Sequence, residues 1–221
     1  PLARPRAPGV TGAARLAYHG GGMDTHDAVH ARYPGDERRR HGHGWLVRVD
    51  PDADPAEMDP KLVGGKAARL YFLAKHGFQV PETWVLPERA FATALRSLPP
   101  ACEPRSLLRA ATGRTVYARA AEARQEILGV KMPPELEAEL RGLWRALEAT
   151  APNGLAVRSS ATCEDGALVS MAGLAESRLG VRGEDTLVAA VREVWASVAA
   201  GRALVYLASH GVRDLGMAVV V

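Results

Sequence analysis

The 221-residue chain has little cysteine, no long apolar run and no excess charge on its body. Its two cysteines, Cys102 and Cys163, lie far apart, and neither belongs to a CxxC pair. That argues against a disulfide framework and makes a reducing cytoplasm the expected compartment. No apolar stretch reaches the roughly 18–20 residues of a membrane helix. The N-terminus has no apolar core of signal-peptide type, which argues against secretion. The formal net charge of +3 is local: residues 1–44 hold seven Arg against four acidic residues, whereas 21 basic and 21 acidic residues cancel over 45–221. A nucleic-acid-binding domain carries its basic face on the fold itself, so that class is set aside. No spacing suggests a Ser–His–Asp arrangement. The only histidines after residue 44 are His76 and His210, each at an expected helix end, where capping is the ordinary role.

What is present divides the chain in two. Residues 1–44 are rich in Pro, Gly, Arg and His without helical or strand period, and read as a disordered basic leader. Five of the seven histidines fall there, at spacings that match no standard metal set, so a solvated tail is the reading. The chain does not begin with Met, and Met23 follows three glycines. The native start is expected at Met23, with residues 1–22 as upstream sequence.

Residues 45–221 read as the folded part. The pattern predicts strands at Leu46–Val49, Thr83–Leu86, Leu155–Ser159 and Met217–Val221. It predicts helices over Gly65–His76, Glu88–Leu98, 116–128, 134–149, Asp185–Ala200 and Arg202–His210. On the first of these, Leu70, Leu73 and Ala74 form the expected core face, with Gly77 as the stop. Strands and helices alternate too irregularly for a doubly wound sheet, so the class is α+β (mixed α/β). The closing Ala218-Val219-Val220-Val221 run carries no polar terminator. At a sheet edge it would be exposed, so the chain is expected to be the front part of something longer.

The chemistry-bearing residues cluster in three segments. Val63-Gly64-Gly65-Lys66-Ala67-Ala68 is not a Walker A loop. Two glycines opening a helix nevertheless put free N–H groups and a positive dipole end beside a lysine. On this motif alone, a tight turn followed by a surface lysine is the plainer role. Residues Leu155 to Ser159 deliver Arg158, whose planar donor fork matches phosphate, to a strand end. An ion pair with Glu164 or Asp165 is the plainer role. Small-residue loops follow, including Ser170-Met171-Ala172-Gly173, where backbone N–H groups can approach anionic oxygens closely. An ordinary turn with Met171 as core filler fits too. Glu176 is either a surface charge or an orienter of a cation, Arg202 either reaches an anion or faces water, and Cys163 reads as a small buried side chain.

Taken together, these segments resemble the nucleotide-binding domain of the phosphoenolpyruvate synthase and pyruvate phosphate dikinase family. The glycine–lysine segment, then Gly77-Phe78-Gln79-Val80-Pro81, looks like its opening. Ala156 to Thr162 with Glu164-Asp165 resembles its arginine motif, and Ser170 to Gly173 with Glu176-Ser177 its glycine loop. Val194-Trp195-Ala196-Ser197 and Arg202-Ala203 with Tyr206 resemble its next helix pair. The match covers about residues 60–221. Met171 stands where the family often has Phe, Leu174 where it often has Gln, and Gly166 to Val169 replaces an Asp-Leu-Pro-Asp-like stretch.

The resemblance implies an ATP-grasp-type domain binding ATP with Mg2+. Its ATP-phosphate contacts would be Lys66 and Arg158, then Ser170, Ala172 and Gly173 of the closing loop, and Arg202. Metal-binding carboxylates, the phosphohistidine and the pyruvate site are expected beyond Val221, which leaves this stretch alone inactive. The full protein would then pass a phosphoryl group from ATP to a histidine and on to pyruvate, with a homodimer as a candidate assembly. A sister phosphotransferase with another acceptor, as in pyruvate phosphate dikinase or a rifampicin-phosphorylating enzyme, fits the same segments. So does a non-catalytic nucleotide-binding module.

Overall fold

Short β-branched segments pair into one sheet, and longer amphipathic segments cover it. The computed structural model describes residues 44–111, 115–163 and 176–221. Among these, the strands are β1 (Val47–Arg48), β2 (Trp84–Leu86), β3 (Leu155–Ala161), β4 (Ser177–Val181) and β5 (Met217–Val220). Their order is β1-β2-β5-β3-β4, and every pairing is antiparallel. The helices are α1 (Pro60–Lys75), α2 (Glu88–Ala94), α3 (Pro104–Ala110), α4 (Val116–Leu128), α5 (Pro134–Leu147), α6 (Glu184–Ala196) and α7 (Gly201–Ser209). The α+β expectation therefore holds.

Strand β5 corrects an expectation. It lies between β2 and β3, in the middle of the sheet, with all four residues buried. Its apolar run therefore reflects two covered faces and paired neighbours on both sides, not an exposed edge. Two elements escape the sequence pattern. Strand β4 lacks alternation because Gly180 and a register irregularity against β3 interrupt it. Helix α3 is only seven residues long, too short to show a period.

The two faces of the sheet are unequal. One face carries Leu86, Val157, Ala161, Met217 and Val219 and packs under α2 to α7. Here one stripe of α6 is the core itself: Leu187, Val191, Val194 and Trp195 are fully buried. Leu136, Leu140, Leu143 and Leu147 of α5 join them, each stabilising by about 2 kcal/mol on burial. Where α5 meets the start of α6, Arg141 bridges Glu137 (2.8 Å), Asp185 (2.8 Å) and Glu184 (3.6 Å). The other face carries Val47, Val85, Ala218 and Val220 and is covered by α1 through Val63, Ala67 and Tyr71.

The start of the described chain is tied down by one carboxylate. Glu139 Oε2 on α5 accepts the backbone N–H groups of Trp45 (2.8 Å) and Leu46 (3.2 Å). Hydrogen bonds to a charged group are the stronger kind. Glu139→Ala should therefore destabilise the fold by about 1.5–3 kcal/mol, and Glu139→Gln, which keeps one acceptor oxygen, by less. Urea unfolding of the two variants measures both; equal losses would contradict the tether.

Candidate functional site

Helix α1 is one hydrogen-bonded run with two starts. Asp59 caps the first, its side chain accepting from Lys61 N–H at 2.8 Å, with Pro60 in the first turn. The run then breaks at Gly64, whose φ of 74° and ψ of 167° are not helical. A second helical segment begins with Gly65 and Lys66. Its cap comes from far along the chain. Ser160 Oγ on β3 accepts from Lys66 N–H (3.1 Å) and Ala67 N–H (3.2 Å). The expectation of free N–H groups at this helix start is thus corrected: those two donors are taken, because a buried hydroxyl lies where it satisfies them. The side chain of Lys66, at this same turn, is half-buried.

The turn sits against the strand with no clearance. A Cβ on Gly64 would lie 2.2 Å from the carbonyl oxygen of Ser160. The same tight approach rotates α1 from its expected face. The buried stripe is Ala67, Tyr71 and Ala74 at i, i+4 and i+7, with small residues where the helix meets the sheet. Leu73 is 37% exposed and Phe72 58%. The helix ends as expected: Gly77 N–H donates to Ala74 and Phe78 N–H to Leu73, the paired bonds of a Schellman motif. His76 Nδ1 lies 2.7 Å from the Phe72 carbonyl oxygen, and His210 Nδ1 2.8 Å from that of Tyr206, so both histidines cap helix ends.

Register places Arg158 beside this turn. Opposite residues of paired strands share a face, and one such row runs Val47, Val85, Val220, Arg158, Ser177 across all five strands. The three valines lie under α1. Arg158 is the next step, exposed, on the same face. Ser160 lies two residues along β3, and side chains two apart on a strand share a face at a separation of roughly 7 Å. Among the described residues, no acidic side chain forms an ion pair with Arg158. Lys66, half-buried, and Arg158 are thus both presented around Ser160 from two elements locked together.

The remaining candidates fall elsewhere. Arg202 is exposed in the first turn of α7, a helix that packs on α3 and α4 in the layer across the sheet. Ser170, Ala172 and Gly173, with Glu164, Asp165 and Met171, lie outside the described residues. Glu176 pairs with Arg178 (2.6 Å) and Arg124 (3.6 Å), and Arg178 also pairs with Glu193. Its carboxylate therefore organises cations at the head of β4. Among the described residues, no three His, Cys, Asp or Glu side chains converge as metal ligands.

Sequence reasoning missed the clasp beyond Arg158. Thr162 Oγ1 accepts from Gly216 N–H (3.2 Å) and donates to Gly216 O (3.3 Å), closing the ends of β3 and β5. Glu88 lies across the same glycine, where a Cβ would meet its Cγ at 2.5 Å. Burial, and then the nearby Asp214 charge, raise the Glu88 carboxyl above its ordinary value. A raised carboxyl binds its proton more tightly folded than unfolded. Stability is therefore greatest below the ordinary carboxyl pKa and falls as pH rises through the raised one. Glu88→Gln should accordingly raise the melting temperature at pH 7 relative to the parent, with the gap closing toward pH 4. A gap independent of pH would contradict this assignment.

Residues 60–221 match the family described as the pyruvate phosphate dikinase AMP/ATP-binding domain. The chain belongs to this family. The probable phosphoenolpyruvate synthase of Staphylothermus marinus is 34% identical over 176 residues, which is 76% of this chain and 20% of that protein. The probable phosphoenolpyruvate synthase of Archaeoglobus fulgidus is 36% identical over 184 residues, 80% of this chain and 24% of that protein. A rifampicin phosphotransferase from a Streptomyces species is 36% identical over 185 residues, 80% of this chain and 21% of that protein. The chain thus spans 20–24% of the length of these relatives. Family membership makes this an AMP/ATP-binding domain. Among the described residues, no helix is long and apolar enough to cross a membrane.

Proposed function

We propose that residues 45–221 form the N-terminal portion of an ATP-grasp-type domain, in which Lys66 and Arg158 hold the phosphates of ATP. One observation carries the reading. Two cationic side chains, one on the α1 turn and one on β3, are presented on one face of the sheet by elements keyed together through Gly64 and Ser160. A lysine and a planar guanidinium neutralise and orient a polyphosphate in complementary ways. For phosphoryl transfer, positioning and charge neutralisation are most of what a protein supplies. Ser170, Ala172 and Gly173 are read as a loop closing over the same phosphates. Arg202, exposed at the start of α7, is the remaining candidate contact. Magnesium enters with ATP, and the roles of Lys66 and Arg158 stand on their own charge.

For the whole protein, similarity to two phosphoenolpyruvate synthases supports phosphoryl transfer from ATP, through a histidine, to pyruvate. Two free cysteines are consistent with the cytoplasm. Similarity to a rifampicin phosphotransferase favours a second reading, the same ATP chemistry with another acceptor. Phosphorus NMR of the intact protein with ATP and pyruvate separates them. The first reading expects AMP, orthophosphate and phosphoenolpyruvate in equal amounts. ATP left intact with pyruvate but consumed with a different acceptor would select the second.

A further inference from the structure

The hydroxyl of Ser160 is buried, so it is not itself available to a ligand. It nonetheless lies between the two groups assigned to phosphate. Its oxygen accepts both N–H groups at the base of the Lys66 turn, and its backbone belongs to the strand that carries Arg158. On the other side of the same residue, the carbonyl is in tight contact with Gly64. A helix start is ordinarily capped locally, by the residue just before it. Here that residue is a glycine with no side chain, and the cap is delivered across 94 residues of sequence.

We propose that Ser160 is a positioning residue for the nucleotide phosphates. It fixes the turn bearing Lys66 in register with Arg158, so that the two cations meet one polyphosphate without first having to be ordered. The proposal rests on the ATP reading of Lys66 and Arg158 and deepens it. A merely structural cap predicts something different. Its loss would lower stability and weaken any ligand of the domain alike, whereas loss of a positioning residue acts on the phosphates and acts through Lys66. Pre-organisation of this kind shows as affinity, because the cost of ordering groups on binding is removed.

The test is a mutant cycle in the intact protein, with ATP and adenosine affinities read by calorimetry and folding checked by melting temperature. Lys66→Met should weaken ATP roughly ten- to a hundredfold. Ser160→Ala should weaken ATP about tenfold and leave adenosine within about twofold. In the Lys66→Met background, adding Ser160→Ala should cost less than about a further twofold, because the residue through which it acts is gone. Ser160→Cys keeps the size with a poorer acceptor, should give an intermediate ATP loss, and completes the same cycle if Ser160→Ala does not fold. Equal losses for ATP and adenosine, or a full Ser160→Ala loss in the Lys66→Met background, would overturn the proposal while leaving the ATP reading intact. Unchanged ATP affinity in Lys66→Met would overturn the ATP reading and the proposal with it.

Discussion

Gly64→Ala should destabilise this domain by about 2–6 kcal/mol. Two terms add. At φ 74° and ψ 167° the backbone lies in a region that is essentially glycine-only, and holding a side chain there costs about 1–3 kcal/mol. The new Cβ would also stand 2.2 Å from the Ser160 carbonyl oxygen and 2.5 Å from its carbon, which are backbone atoms of β3. Neither can swing aside, and overpacking of that kind costs about another 1–3 kcal/mol. Gly77 supplies the control. Its φ is 79°, but nothing lies within 4 Å of an added Cβ, so Gly77→Ala carries only strain, about 1 kcal/mol. Urea unfolding of both variants measures the difference. Losses that agree within error would mean that the α1 turn can back away from β3, and the keyed geometry would be wrong.

The second large effect concerns ligand, not fold. Arg158→Met should weaken ATP binding by about 1.5–3 kcal/mol, the range for a charge-assisted hydrogen bond. That is roughly ten- to 150-fold in dissociation constant. Stability should scarcely change, because the side chain is exposed and forms no ion pair among the described residues. Arg158→Lys keeps the charge but not the planar fork, and should recover only part of the loss. Added salt should narrow the gap between parent and variant, as screening weakens the parent's contact. Full recovery by lysine would point to simple charge neutralisation. A loss of stability as large as the loss of affinity would instead mark Arg158 as part of the scaffold.

How much of this was legible in the sequence depends on whether the signal is local. The stripes of α5 and α6 are, since their apolar residues recur at helical spacing and are the ones buried. The ends of α1 and α7 are too, since Gly77 and Gly211 follow His76 and His210 directly. Lys66 and Arg158 stand out because a glycine pair and a strand end frame them. Their juxtaposition does not follow from either segment. It depends on a hydroxyl 94 residues away in sequence finding two N–H donors, and on a five-residue row that only sheet register defines. The central place of β5 was hidden for the same reason. An apolar strand reads alike at an edge and in the middle, and only its partners distinguish them. On α1, Ala74 is buried as expected, but the expected face takes in the more hydrophobic Leu70 and Leu73 in place of Ala67 and Tyr71. Close approach to β3 selects small side chains over apolar ones.

One calorimetric comparison tests whether Lys66 and Arg158 act together on the phosphates. ATP and adenosine are titrated into the intact protein and into its Lys66→Met/Arg158→Met double variant. The parent should bind ATP more tightly than adenosine, the double variant should lose that advantage, and adenosine should bind both alike. An ATP advantage that survives in the double variant would place the phosphates elsewhere and contradict that joint action.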